Sequence, residues 1–268
     1  HKFSLAKCKT KLKLTNMKAK KLNAKTNRRR VLQLFFLLSA SLCLYGKNLV
    51  AQDFKQVADG IEYAEMTRGT EKEPIRLNLL RLDLTKVRLD VVHALDAAIG
   101  LEKTSSIAKR HGAMAAINAG FFKMEGLYNG DAAGVLMIDR YLLSESYADR
   151  IALFIQDNSS HTNVAMGKLR TVATAEIGNQ TLNISGINRE RKGDELIIFS
   201  NYFHRTTLTN QDGLEIIVKK NGVISQIFDG KGSTLIPPDG FVLSASGKFR
   251  DELKNVKIGD EVSLNFMQ

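Results

Sequence analysis

Hydrophobic and polar positions alternate along most of the chain in short runs that are typical of β-strands. Downstream of Gln52, these runs have a period of two or are continuously apolar, and Asn, Asp, Gly and Pro separate them. They predict strands at residues 75–84, 87–93, 133–138, 151–155, 170–177, 195–199, 214–218, 223–228, 240–245 and 261–266. Asn221 and Gly222, between two of these runs, give the clearest β-hairpin signal.

Helical patterns are few and short. Residues 104–110 read as one helix, with Thr104 or Ser105 as the N-cap and Gly112 just beyond the end. Residues 246–254 read as a second helix. Since no internal repeat or low-complexity linker interrupts the pattern, the sequence predicts a single α+β domain, mainly a mixed β-sheet with a few short helices.

The positive charge of the chain is confined to its beginning. The net charge is +11, with 39 basic and 28 acidic residues. Residues 1–51 hold 13 of the basic residues and no acidic one, so residues 52–268 carry 26 basic and 28 acidic side chains. A near-neutral folded part argues against a nucleic-acid partner.

The basic segment has the parts of an export signal. Basic residues at 18–30 precede an apolar stretch at 31–45 and a small-residue exit that ends at Ala51. We expect residues 17–51 to be a signal peptide, residues 1–16 to be an upstream extension that is not translated naturally, and the mature protein to be secreted or periplasmic. An uncleaved signal segment would be the only membrane attachment.

Cysteine usage agrees with a bacterial envelope protein. Cys8 and Cys43 both lie in the removable part, so the mature chain contains no disulfide framework.

Three separate stretches of the sequence resemble motifs of a known protein family. They are Asn-Ala-Gly-Phe-Phe at 118–122 after a predicted buried strand at 114–117, Ile-Asn-Arg-Glu-Arg at 187–191, and the Ile-Pro-Pro-Asp-Gly segment that begins at Ile236. In this order they resemble the phosphodiester glycosidase domain family, which includes the mannose 6-phosphate uncovering enzyme and exported bacterial proteins related to exopolysaccharides. The resemblance spans residues 57–268 and implies an exported hydrolase.

The family pattern continues beyond the stretch that this sequence matches. Its members carry an Arg-x-Ala-Ile-Gly motif and then an Asp-Gly-Gly-Gly-Ser motif, and neither follows Gln268. Residues 229–233 resemble the second motif, but Lys231 replaces a Gly and the position is too early, so we interpret them as a surface turn. The resemblance therefore predicts that residues 52–268 are the N-terminal and central part of a C-terminally incomplete domain.

Two residues are catalytic candidates. Asn118 matches the family's Asn-x-Gly-Phe-Phe motif, and its amide can bind a phosphate or sugar oxygen; the alternative is an Asx turn. Asp131 can act as a general acid or bind a cation; the alternative is a solvated turn residue.

The substrate-binding candidates are Asn188, Arg189, Arg191 and Phe122. Arginine suits a phosphodiester because its planar group donates two hydrogen bonds to phosphate oxygens. The alternatives are that the arginines are solvated and that Phe121 and Phe122 belong to the core.

The sequence predicts no cofactor and no structural metal site, because its histidines lack ligand spacing; a weak Ca²⁺ site stays open. The leading hypothesis is a glycosidase-like enzyme that hydrolyses sugar phosphodiesters of envelope or extracellular glycans. The alternative is a non-catalytic protein that binds polysaccharide or helps to assemble exopolysaccharide. The expected partner is thus a carbohydrate phosphodiester or a polysaccharide.

Overall fold

The computed structural model describes residues 53–267. The predicted upstream extension at 1–16 and the predicted signal peptide at 17–51 lie outside the described residues, as do both cysteines and Gln268.

Within residues 53–267 the chain is mostly β-structure. The strands are β1 (Lys55–Ala58), β2 (Ile61–Gly69), β3 (Pro74–Leu82), β4 (Leu136–Ile138), β5 (Tyr141–Ser144), β6 (Ile151–Asp157), β7 (Thr162–Lys168), β8 (Val172–Ile177), β9 (Gln180–Asn183), β10 (Gly186–Ile187), β11 (Leu196–Ser200), β12 (Leu214–Val218), β13 (Ile224–Asp229), β14 (Phe241–Ala245) and β15 (Val262–Met267). The helices are α1 (Thr104–Arg110), α2 (Lys248–Leu253) and a 3-10 turn (Ala94–Asp96). The predicted predominance of β-structure is confirmed.

A five-stranded sheet forms the centre of the fold, in the order β10-β11-β14-β12-β13. β10 pairs with β11 in parallel and the other pairs are antiparallel, so the sheet is mixed, as predicted. Along β11, Leu196 and Ile198 face one hydrophobic cluster, whereas Ile197 and Phe199 face another. Both faces are therefore covered, which explains why the central strands are continuously apolar.

The other strands of residues 53–267 form smaller sheets. They have the strand orders β1-β2-β3, β15-β8-β9, β4-β5 and β6-β7. Asn221 and Gly222 connect β12 to β13 as an antiparallel pair, and Gly222 has a φ of +81°, so the hairpin prediction is confirmed. β15 pairs with β8 over six residues and confirms the predicted strand at 261–266.

The described residues fall into two compact units. One contains residues 53–55 and Ala64–Leu79, and the other contains Gln56–Tyr63 and residues 80–267. The first holds the outer parts of β2 and β3 and a turn in which the backbone N–H of Glu73 donates to the carbonyl of Thr70 (3.2 Å). All candidate site residues lie in the second unit.

Some local predictions are wrong. Residues 87–93 form no strand. Residues 114–117 were expected to be a buried strand, but they are irregular, and Met114 and Ile117 are 74% and 78% exposed. Because no strand among the described residues pairs with this run, Met114 and Ile117 stay exposed. The core alternative for Phe121 and Phe122 is also wrong, because both rings are exposed.

The α1 helix is confirmed with the predicted bounds, but its cap differs. Lys103 occupies the N-cap position without a side-chain hydrogen bond. The hydroxyl of Thr104 donates instead to Oδ1 of Asn118 (2.5 Å).

Candidate functional site

The candidate site lies on the loop between Phe122 and Ala132. These two residues pair as an isolated antiparallel bridge. The backbone N–H of Lys123 donates to the carbonyl of Asp131 (2.8 Å), and that of Gly130 donates to the carbonyl of Lys123 (2.7 Å). These bonds fix the backbone on both sides of the turn that carries Asp131.

Close backbone packing requires glycine at position 130. Gly130 has a φ of +86°, and a Cβ atom there would lie 2.0 Å from the carbonyl oxygen of Gly100. Nε2 of His93 contacts the carbonyl of Gly130 at 2.9 Å. Tyr128, two residues earlier, is buried and donates its hydroxyl to the carbonyl of Thr207 (2.8 Å). The turn before Asp131 is therefore held to the core.

Asp131 is half-buried, so its carboxyl group is only partly in contact with solvent. Burial raises the pKa of its carboxyl group to about 7, and the negative charge of Glu145 adds to this effect. The positive charges of Arg189 and Lys123 act in the opposite direction but are weaker. A carboxyl group that titrates near neutral pH can exchange a proton with a substrate or a water molecule.

Glu145 follows β5 directly and is the second carboxylate of the site. Its Oε2 accepts from the backbone N–H of Ile187 (2.8 Å), and its Oε1 accepts from Nε of Arg189 (2.6 Å). Both oxygens are therefore held in place. We did not anticipate Glu145 from the sequence, because β5 was not predicted and so no strand end pointed to it.

Arg189 is fully engaged within the protein. Its guanidinium group donates to Glu145, to both carboxylate oxygens of Glu195 (2.9 and 3.0 Å) and to the carbonyls of Ser185 and Glu190. These five bonds use every N–H donor of an arginine side chain. The ion pairs outweigh the effect of burial and raise the pKa of Arg189. Arg189 thus holds Glu145 in place, and its role in binding a substrate phosphate stays a prediction.

Asn188 and Arg191 are also structural. Asn188 is 1% exposed, donates to the carbonyl of Leu143 and the hydroxyl of Ser200, and accepts from the backbone N–H of Ser200. Arg191 is 7% exposed and donates to the hydroxyl of Ser244 (2.7 Å) and to Oδ1 of Asn210 (2.6 Å). Both side chains are buried and hydrogen-bonded within the protein. Their substrate-binding roles stay predictions.

The remaining two candidates lie on the surface. Phe122 is 42% exposed and neighbours Asp131 through its bridge to Ala132. Asn118 is exposed and binds the start of α1 through Thr104. No described contact joins Asn118 to Asp131 or Glu145. The structure thus brings together Asp131, Phe122 and, through Glu145, Arg189.

A separate groove of about 570 Å³ is lined by aromatic and basic side chains. The rings of Tyr141 and Tyr202 lie 4.7 Å apart between centroids and are 54% and 38% exposed. Lys219 and Lys220 line the same groove. Nδ2 of Asn201 donates to the carbonyl of Pro238 (2.7 Å) and fixes one wall. Such a surface can take a polar ring compound with negative charge.

A cluster of metal-ligating side chains and a membrane-spanning helix are both absent from residues 53–267. In this part of the chain, no group of three or more His, Cys, Asp or Glu side chains could hold a metal ion. No helix in the same range is long and apolar enough to cross a membrane.

Comparisons with known proteins identify distant relatives. No model of a known protein family matches the chain. An uncharacterized protein of Rickettsia conorii is 29% identical over 160 residues, which cover 59% of this chain and 55% of that protein.

Two solved structures share the fold. One is a protein of Burkholderia pseudomallei K96243 named as an exported protein, with a TM-score of 0.64 and 18% identity over 72% of this chain and 46% of that one. The other is a hypothetical protein from Synechocystis, with a TM-score of 0.66 and 17% identity over 80% of this chain and 40% of that one. The chain thus spans about half the length of the Rickettsia relative and less than half of the solved chains.

The raised pKa of Asp131 predicts a pH-dependent contribution to stability. The folded state holds the proton up to about pH 7, whereas the unfolded state releases it near 3.8. The protonated form therefore favours folding at low pH, and this contribution is lost as the pH rises from about 4 to about 7. In Asp131→Asn the group no longer titrates. Thermal unfolding at several pH values should show the wild-type protein losing stability relative to Asp131→Asn across this interval. Asp149→Asn, whose side chain is 91% exposed in the wild type, is the matched control and should follow the wild type.

Proposed function

We propose that this protein is an exported enzyme that hydrolyses sugar phosphodiesters, with Asp131 as the group that exchanges the proton. The observation that carries the proposal is the half-buried carboxyl group of Asp131, whose pKa is raised to about 7 by burial and by Glu145. The resemblance of residues 118–122, 187–191 and 236–247 to phosphodiester glycosidases supplies the substrate class.

The chemistry requires a base more than an acid. A phosphate group leaves readily as an anion, so the difficult step is the attack of water on the anomeric carbon. Ionised Asp131 takes a proton from this water as the new carbon–oxygen bond forms and the bond from the anomeric carbon to the phosphate oxygen breaks. The phosphate monoester departs with the bonding electrons. Glu145 contributes by raising the pKa of Asp131, which makes Asp131 a stronger base.

Export is part of the same proposal. The basic and apolar segments at 18–30 and 31–45 have the order of a signal peptide. A structural relative from Burkholderia pseudomallei is named as an exported protein. Both observations support a location outside the cytoplasm.

Hydrolysis can be tested with a panel of sugar 1-phosphodiesters that includes a GlcNAc phosphodiester. We expect release of sugar by the purified wild-type protein, with kcat/KM rising with pH to a plateau above about 7, the pKa of Asp131. Asp131→Asn should lower kcat by about 100-fold or more, because a general base is lost.

The exposed Asp149→Asn variant serves as the control and should keep the wild-type rate. No turnover of any diester by the wild-type protein, or full activity of Asp131→Asn, would reject the enzymatic proposal.

A second candidate function is polysaccharide binding without hydrolysis. The observation that favours it is the groove with exposed Tyr141 and Tyr202 beside Lys219 and Lys220. A tyrosine pair offers flat apolar faces to sugar rings, and lysines attract acidic groups.

Affinity electrophoresis in gels that contain an acidic or a neutral polysaccharide tests this candidate. We expect retardation by the acidic polymer and a loss of it in Tyr202→Ala. The Phe154→Ala variant, which removes an exposed ring outside the groove, should stay retarded. Equal mobility of the wild type and Tyr202→Ala in the acidic gel would count against polysaccharide binding in this groove.

A further inference from the structure

Arg150 lies on the surface near Asp131, where two aromatic rings and a backbone carbonyl hold its side chain. Its guanidinium carbon lies 4.8 Å from the ring centroid of Phe121 and 5.0 Å from that of Tyr147. One of its terminal nitrogens donates to the carbonyl of Ala133 (2.6 Å). Phe121 and Tyr147 are themselves 73% and 61% exposed. Two aromatic contacts and one hydrogen bond therefore orient a charged group at a surface open to solvent.

No carboxylate neutralises this arginine within the described residues. Ion pairs within that range involve Arg81, Arg88, Arg110, Arg189 and Arg250, but not Arg150. The bond to Ala133 uses one N–H donor, and the remaining donors of the planar group can bind a ligand. An oriented, unpaired guanidinium is well suited to an anion with several oxygens.

Two hydrogen bonds join the Arg150 loop to the segment that contains Asp131. Residues 131–133 lie beside residues 144–150, because the hydroxyl of Ser144 donates to the carbonyl of Ala132 (3.0 Å) and Arg150 donates to the carbonyl of Ala133. Arg150 thus contacts a residue only two positions from Asp131. Glu145 is the first residue of the same loop, and Arg189 holds its carboxylate.

Other positive side chains of the site are already occupied. Nζ of Lys123 lies 2.5 Å from Oε2 of Glu190, and the donors of Arg189 are all used. Arg191 is buried.

We infer that Arg150, held between Phe121 and Tyr147, is the residue that binds the phosphate group of a sugar phosphodiester substrate. This inference rests on the proposed function for the choice of substrate class, and it deepens that function by naming the anion-binding residue. Phe121 and Tyr147 orient the guanidinium, and both residues are exposed beside it.

Binding of three small ligands tests the inference without requiring turnover. The ligands are GlcNAc 1-phosphate, inorganic phosphate and neutral GlcNAc, titrated into the isotope-labelled protein and followed by NMR. We expect both phosphates to shift the side-chain signal of Arg150. Arg150→Gln should bind GlcNAc 1-phosphate about tenfold or more weakly, since a charge-assisted hydrogen bond is lost.

Two further variants separate recognition from folding. Arg150→Lys keeps the charge but loses the planar group, so its affinity should lie between those of the wild type and Arg150→Gln. Arg205→Gln removes another exposed arginine and should bind as the wild type does. If turnover is measured, Arg150→Gln should raise KM for the diester more than it lowers kcat.

The outcomes of this test differ from those of the hydrolysis test. Arg150-dependent phosphate binding without hydrolysis of any diester supports the anion site and rejects the enzymatic proposal. Hydrolysis with unchanged KM in Arg150→Gln supports the enzyme and overturns the inference. Equal affinity of wild type and Arg150→Gln for GlcNAc 1-phosphate, or no binding of either phosphate by the wild type, also overturns it.

Discussion

The buried carboxylate of Glu215 imposes the constraint on which the central sheet depends. Glu215 lies on β12 and is 0% exposed, and a carboxylate in such a place is tolerated only when hydrogen bonds satisfy it. It accepts from the hydroxyls of Thr207, Thr209 and Ser244 and from a backbone N–H. Ser244 on β14 also accepts from Arg191. The carboxylate of Glu215 is thus linked to the guanidinium of Arg191 through the hydroxyl of Ser244.

Residues 188–191 connect this buried hydrogen-bond network to the candidate site. Arg191 fixes the end of this segment against β14, while Asn188 fixes its beginning by bonds to Leu143 and Ser200. Arg189, between them, reaches Glu145, whose charge helps to raise the pKa of Asp131. The pKa of Asp131 therefore depends on side chains that are themselves held by the core. Residues 188–191 form part of the framework around Asp131.

The sequence predicted the parts of the fold in which local pattern and tertiary environment agree. Continuous apolar runs became the central strands, and Asn221 with Gly222 formed its hairpin, because both signals are local. It failed at 114–117, where an apolar run found no partner strand among the described residues. The roles of the site residues were harder to predict, since an arginine that binds phosphate and one that binds Glu145 look alike in a sequence. Only long-range contacts, such as those of Arg189 with Glu145 and Glu195, distinguish them.

The most direct measurement is the titration of the Asp131 side chain in the folded wild-type protein, followed by the NMR shift of its carboxyl carbon. Assignment is secured by the absence of the signal in Asp131→Asn. We predict a midpoint near 7, well above the ordinary 3.8, because the fold holds the group half-buried beside Glu145. A midpoint near 3.8 would show that Asp131 is an ordinary surface carboxylate and would contradict its place at the centre of a proton-transfer site.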